Sequence, residues 1–318
     1  MKSYQKRVDP LDKGFIRIEN ADVRICTASS LFLCIFFSIL LLTGTALSKE
    51  KKEFFKVRVL PKQVHQGDIC VLNVLFKENS MPLTAEFQKK ELLFYRVNDT
   101  GLFRALIGVD MEVKPGDKPL TITAKDGAGN AYKKIYWLKI LKKDFGTQKL
   151  SLPRRMVELD KETLSRVRKE SKRVKTIWPK DTKKRLWRRK FIMPVKGEVI
   201  SPFGVRRILN DLPRSPHSGI DLKAKMGEEV QSSNTGVVVH VDEMYFSGKS
   251  IIVDHGQGLF TMYFHLSRIA VKKGQHVERG EILGRAGSSG RATGPHLHWG
   301  ARLHGARVNP LSLIQLND

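Results

Sequence analysis

Residues 294–300, Gly-Pro-His-Leu-His-Trp-Gly, carry two histidines one residue apart, His296 and His298. In an extended segment side chains two apart share a side, so both imidazoles face one point in space. Two neutral imidazoles converging on a point suggest a metal. Residues 215–221, Ser-Pro-His-Ser-Gly-Ile-Asp, add His217 and Asp221 four apart. Pro216 and Gly219 there predict a bent loop entering a strand, not a helix face. A third segment, residues 261–267, brings His265 after a strand-like run. Catalytic zinc usually takes three protein ligands and leaves the fourth position to water. His217, Asp221 and one histidine of the 296/298 pair make such a set. Two imidazoles and one carboxylate leave the cation a net charge of about +1, enough to lower the pKa of water toward roughly 7.

Cysteine usage narrows the ligand choice. Of the three cysteines, Cys26 and Cys34 lie in or before an apolar segment near the start, which leaves Cys70 for the remainder. That remainder has no pair for an intramolecular disulfide and no thiolate-rich zinc site, so a metal must be held by His, Asp or Glu. The apolar segment itself, residues 31–42, is followed by Ala46-Leu47-Ser48, a small-x-small pattern. It predicts export, as a cleaved secretion signal or as an uncleaved anchor, since residues 28–48 just reach across about 30 Å of hydrocarbon.

The elements that must position these residues fall in four stretches: 1–48 as tail and signal or anchor, 53–145, 150–190 and 191–318. Residues 53–145 read as short strands rich in Val, Ile, Leu and aromatics, with turns at Gln66-Gly67-Asp68, Pro115-Gly116-Asp117 and residues 126–130. That spacing predicts an immunoglobulin-like β-sandwich. His65 is its only histidine and reads as incidental. Residues 150–190 are basic, with apolar residues at helical spacing that predict a helix over about 154–175, ended by Pro179. Trp178 and Trp187 in this run fit either a nucleic-acid arm or a solvated linker whose tryptophans pack on the next domain. Export favours the linker, and no nucleic-acid partner is expected. From residue 191 onward strands alternate with glycine turns, predicting a compact antiparallel β domain. It holds eight of the nine histidines. The class is therefore mainly β. The net charge of +25 suits an acidic polymer or an anionic membrane surface without choosing between them.

The segments His217–Asp221, Tyr263–Ser267 and Gly294–Gly300, in this order and spacing, resemble the lysostaphin-type (LytM-like) zinc metallo-endopeptidases, which cut peptide bridges of peptidoglycan. The resemblance covers about residues 192–312. The stretch before it looks, more loosely, like the β-sandwich that accompanies some exported bacterial members. The resemblance implies that His217, Asp221 and His298 bind Zn2+, and that His265 and His296 sit beside the metal's water. One of those two histidines then accepts the water proton and the pair steadies the oxyanion of a tetrahedral intermediate. It implies a peptidoglycan hydrolase of the periplasm or cell envelope. Some relatives have lost ligands and act only as activators of other wall hydrolases, so a non-catalytic wall-binding regulator is the alternative. All five positions are filled here.

Other residues carry lesser expectations. His255 reads as a turn residue or a support for the ligands, and His240, His276 and His304 as surface residues. Gly219, Gly294 and Gly300 are expected to let loops pass close to the metal. Arg207, Arg214 and Arg291 flank the cleft in sequence, as binders of acidic peptide carboxylates or as solvated charge.

Overall fold

The computed structural model describes residues 54–76, 83–97, 99, 101–151, 158–179 and 182–316. The expected signal or anchor at 1–48 lies outside them. Among the described residues, no helix is long and apolar enough to cross a membrane.

Alternation of apolar and polar residues builds the first half. In strand Leu83–Phe87, Leu83, Ala85 and Phe87 are buried while Thr84 and Glu86 are exposed, the period-two pattern of a sheet with one wet face. Two sheets arise this way. One has four strands in the order Phe55–Leu60, Ile69–Phe76, Leu102–Gly108, Tyr95–Arg96. The other has five, in the order Gln63–His65, Ala131–Leu141, Gly116–Lys125, Leu83–Phe87, Lys90–Leu92. Their inner faces share one core that includes Leu72, Val74, Ile107, Leu120, Ile122, Leu138 and Ile140. Cys70 is a buried free thiol in that core, and burial pushes its pKa up.

The second half is a ten-stranded antiparallel sheet. Its main path runs Val199–Ser201, Gly219–Lys223, His296–Leu303, Leu259–Ile269, Gly248–Asp254, Gly236–Met244, His276–Val277. Strand Gly248–Asp254 is buried from Ser250 onward, as the unbroken run Ile251-Ile252-Val253 requires. Ile251 and Val253 join the large core with Ile220, Leu222, Tyr263, Leu297 and Trp299. Ile252 faces the other way, with Phe260 and Met262, under Val174, Ile177 and Trp178.

That cover comes from helix Lys161–Lys175 and the turn after it. The helix starts at Lys161 and not near 154, because the Asp160 carboxylate accepts from the Thr163 N–H at 2.7 Å and fixes the first turn. Glu162 in its first turn and Lys172, Arg173 and Lys175 in its last complement the helix dipole. Arg173 pairs with Asp242 at 2.6 Å, and buried Glu170 accepts from Arg166 and from the Tyr245 backbone N–H. Both tryptophans of the basic run pack inward: Trp178 edge-on to Phe260, and Trp187 against Tyr95 and Phe191 at 1% exposure.

A third cluster joins the halves. Ile69, Tyr95 and Leu106 of the first meet Trp187, Phe191, Leu259, Leu303 and Val308. Arg307 adds a forked bond to Asp110, with its Nη2 2.6 Å from Oδ1 and its Nε 3.0 Å from Oδ2. Burial works against the Asp110 anion, yet the Arg307 bonds hold its carboxyl below the usual range.

Trp187→Ala should lower unfolding stability by about 3–5 kcal/mol, as removal of a fully buried aromatic does. Denaturant titration checks the value. His255 is fully buried and burial pushes its pKa down to about 4. The unfolded imidazole takes a proton near pH 6.5, which the folded one resists. The His255 contribution is therefore intact above pH 6.5 and is lost progressively as pH falls toward 4, up to about 3 kcal/mol. Urea midpoints between pH 7 and 4 should fall along that course, with a shallower slope in His255→Gln.

Candidate metal centre

Register, not loop flexibility, brings the first two candidates together. Strands Gly219–Lys223 and His296–Leu303 pair antiparallel with Asp221 directly opposite His298, and on its other side His298 faces Phe264. Side chains opposite each other in such a pair share a face. His217 reaches the same point from the loop just before, where its backbone is held by bonds to Gly204 and Val205. All three are buried, and the atoms form a tight triangle. His217 Nε2 lies 2.9 Å from Asp221 Oδ1 and 2.9 Å from His298 Nδ1, and His298 Nδ1 lies 2.8 Å from Asp221 Oδ1.

The donor set itself asks for a cation. His217 Nδ1 sits 2.9 Å from the Pro202 carbonyl, which can only accept, so this nitrogen carries the proton and Nε2 presents a lone pair. That lone pair points at a carboxylate oxygen, another acceptor. Two acceptors this close repel unless positive charge lies between them. Donor atoms of a tetrahedral zinc, bonded at about 2.0–2.1 Å, stand roughly 3.3 Å apart. A few tenths of an ångström of side-chain movement separates that from the triangle seen here. The residues fit a small divalent metal.

Charge around the triangle follows from its burial. Desolvation opposes the Asp221 anion, but any proton shared in the triangle, on His217 Nε2 or His298 Nδ1, bonds to the carboxylate, which outweighs burial and holds the carboxyl well below the usual range. Burial pushes His298 down to about 4, so its ring is neutral at pH 7 and able to ligate. The second carboxylate oxygen is occupied: Arg207 donates from Nη2 to Asp221 Oδ2 at 2.9 Å and to Ser201 Oγ at 3.3 Å. Only Oδ1 is left to face the metal.

His265 and His296 line the same cleft. His265 interrupts its strand with a left-handed φ of 65°, an uncommon conformation for a residue with a Cβ. The pairing with Gly248–Asp254 shifts at this point, and the resulting bulge turns the ring toward the cleft. Its Nδ1 lies 2.8 Å from the Ser289 carbonyl, and His296 Nδ1 lies 2.8 Å from the Gly294 carbonyl. Each carbonyl fixes the proton on Nδ1 and leaves Nε2 as a base. The two rings are 4.7 Å apart, and His296 Nε2 is 3.9 Å from Asp221 Oδ1. Burial pushes His265 down to about 3.

The remaining expectations divide. Gly219 is a true close approach, since a Cβ there would stand 2.5 Å from the Trp299 carbonyl and 2.7 Å from His298 Nε2. Gly300 is crowded by Met262, whereas a Cβ on Gly294 would meet nothing within 4 Å, so that glycine is not required sterically. His255 is no ligand: it bonds the Thr235 carbonyl and Thr261, which continues to Tyr263 and Ser233 deep in the core. His276 is exposed as expected, but His240 and His304 are half-buried, His240 through its place in the central sheet and His304 in a tight turn. Sequence reasoning missed the Pro202, Ser289 and Gly294 carbonyls that set three tautomers, because any residue type supplies a carbonyl. It also missed Arg207 as the partner of Asp221, for which the two-residue step from Val205 toward the His217 loop gives no signal.

A cleft of about 990 Å³ opens from this centre. Helix residues Leu164, Val167 and Val174 line one wall, and the histidines another.

Residues 215–310 match the model of peptidase family M23. The chain is 40% identical over 117 residues to peptidoglycan DD-endopeptidase ShyA of Vibrio cholerae, covering 36% of this chain and 27% of that protein. It is 40% identical over 121 residues to DD-carboxypeptidase/endopeptidase Mpg of Neisseria meningitidis, covering 37% and 27%. The chain thus spans about a quarter of the length of these curated relatives. A crystal structure of a putative peptidase M23 from Pseudomonas aeruginosa superposes with a TM-score of 0.61 at 30% identity, over 78% of this chain and 94% of that one. Fold and site define a β domain with a candidate metal centre. The chain belongs to peptidase family M23.

Arg207→Ala should weaken metal binding about 10- to 100-fold, the usual effect of removing a group that orients a ligand. Competition against a chromophoric chelator measures it, with wild-type affinity in the variant as the contrary result.

Proposed function

We propose that the protein is a zinc-dependent endopeptidase that hydrolyses peptide crosslinks of peptidoglycan, with His217, Asp221 and His298 as ligands and His265 and His296 as catalytic residues. The observation that carries this is the buried triangle of 2.8–2.9 Å sides, two of its corners lone-pair acceptors. The name of the relative ShyA, a peptidoglycan DD-endopeptidase, supplies the substrate class. Zinc held in such a site supplies Lewis acidity, polarising a carbonyl and lowering the pKa of water.

The chain's own residues do the rest. His265 and His296, each with Nε2 unprotonated, stand where one accepts the proton of an attacking water and returns it to the leaving amine. While it holds that proton, the same imidazole donates toward the developing oxyanion, and the second ring lines the pocket beside it. Arg207 keeps Asp221 from swinging its second oxygen into the site, and Phe264, stacked on His298 at 5.3 Å, holds that ring's plane. The apolar helix wall limits water and gives an extended peptide a surface to lie on. A non-catalytic wall-binding role is disfavoured, because it gives two oriented bases beside a ligand triangle no task.

In this proposal residues 53–145 form an accessory sandwich, 150–190 a linker and 191–318 the catalytic domain. The segment within residues 1–48 exports the protein to the periplasm or cell envelope.

Purified protein with zinc should release uncrosslinked muropeptides from murein, identified by mass spectrometry. A chelator should stop the release and zinc restore it. His265→Ala and His296→Ala should keep stoichiometric zinc yet lose about 10²–10⁴-fold in kcat. A protein with full zinc that leaves murein intact would sink the proposal.

A further inference from the structure

Three segments meet behind His265: the turn 246–249, the strand through 265–267 and the loop 287–291. The His265 N–H bonds the Ser247 carbonyl at 2.9 Å, and the Arg291 N–H bonds the Phe246 carbonyl at 2.9 Å. Ser289 stands where the three cross. Its hydroxyl accepts from the Lys249 N–H at 2.9 Å and donates to the Leu266 carbonyl at 2.7 Å. Lys249 and Leu266 are partners in the strand pairing, and the register shifts beside them, at the bulge that holds His265. A side-chain hydroxyl therefore satisfies two backbone groups at the point where the ladder is broken. The fit is close: a Cβ on Gly248 would stand 2.3 Å from both the Ser289 Oγ and its carbonyl carbon. The carbonyl of the same residue accepts from His265 Nδ1 at 2.8 Å. Ser289 thus holds the backbone beside His265 with its hydroxyl and the ring with its carbonyl.

We propose that Ser289 is the positioning residue of His265: its hydroxyl keeps the bulge open and aims its carbonyl at Nδ1, so that Nε2 faces the metal centre as a base. The inference rests on the endopeptidase function proposed above and adds a residue that acts through His265 rather than on substrate. Without the hydroxyl, the Lys249 N–H and the Leu266 carbonyl lose their shared partner, and the two strands gain by pairing directly. Direct pairing flattens the bulge, and strand alternation then carries the ring away from the cleft. The loop is released as well, so its carbonyl no longer selects one ring nitrogen. The ligands Asp221 and His298 stand on a different strand pair, Gly219–Lys223 with His296–Leu303, so metal binding stays as it was.

The test compares zinc-loaded full-length wild type and Ser289→Ala, each with isotope-labelled histidines. Long-range proton–nitrogen NMR at pH 7 should show the wild-type His265 proton on Nδ1 and a mixture of both tautomers in Ser289→Ala. On a crosslinked murein peptide, Ser289→Ala should lose about 10- to 100-fold in kcat, the scale for a misplaced catalytic group, with KM and zinc content as in wild type. In a His265→Ala background the same change should cost nothing further, because the group it positions is gone. Ser289→Cys, similar in size but a weak hydrogen-bonding partner, should show the same changes in smaller degree and replaces the alanine variant if that one does not fold. A wild-type His265 with its proton on Nε2 overturns the proposal without any variant. So does a folded Ser289→Ala with the wild-type tautomer and kcat, or a full additional loss in the His265→Ala background. If zinc-loaded wild type cleaves no peptide, the endopeptidase reading alone fails, and the tautomer comparison still decides whether Ser289 positions His265.

Discussion

A carboxylate buried between two imidazoles governs this structure. Asp221 is 8% exposed and would be costly as an anion without partners. Its Oδ2 is satisfied by Arg207, while its Oδ1 faces His217 and His298 within 2.9 Å. The arrangement has one oxygen neutralised from within the protein and one corner directed at lone pairs. Around it the fold supplies rigidity: a strand pair on one side and a loop pinned by backbone bonds on the other.

That rigidity is a property of sheet register. Asp221 and His298 meet because they are opposed across one antiparallel pair, and a slip of one residue between the strands would put them on opposite faces. The same strand carries His296 to the same side, two residues back. His265 reaches the cleft only because its strand bulges there, with backbone strain held by neighbouring pairs. Strain at that position and order around it belong together: a regular strand would alternate His265 away from Phe264's side, where His298 is stacked.

Helix Lys161–Lys175 connects the basic segment to the site. With the turn after it, it covers the outer face of the sheet through Val174, Ile177 and Trp178 and forms a wall of the cleft. Trp187 and Phe191 then tie the following chain into a core shared with the first half, next to the Arg307–Asp110 fork. The positive charge that composition alone leaves unassigned has a local part in this frame, in the arginines of the cleft wall.

Much of this was legible in the residues. Two-residue alternation marks the strands, Pro216 and Gly219 mark the loop that carries His217, and the spacing in 294–300 sets His296 and His298 on one side, because side-chain direction in extended chain is local geometry. The start of the helix was misplaced, since apolar spacing continues before Asp160 while the cap bond to Thr163 decides the first turn. Only tertiary structure decided the partner of Asp221, the tautomers set by the Pro202, Ser289 and Gly294 carbonyls, and the bulge at His265. The physical reason is range: composition and spacing fix what each short segment can do, whereas contacts between atoms tens of residues apart depend on register and packing that no single segment contains.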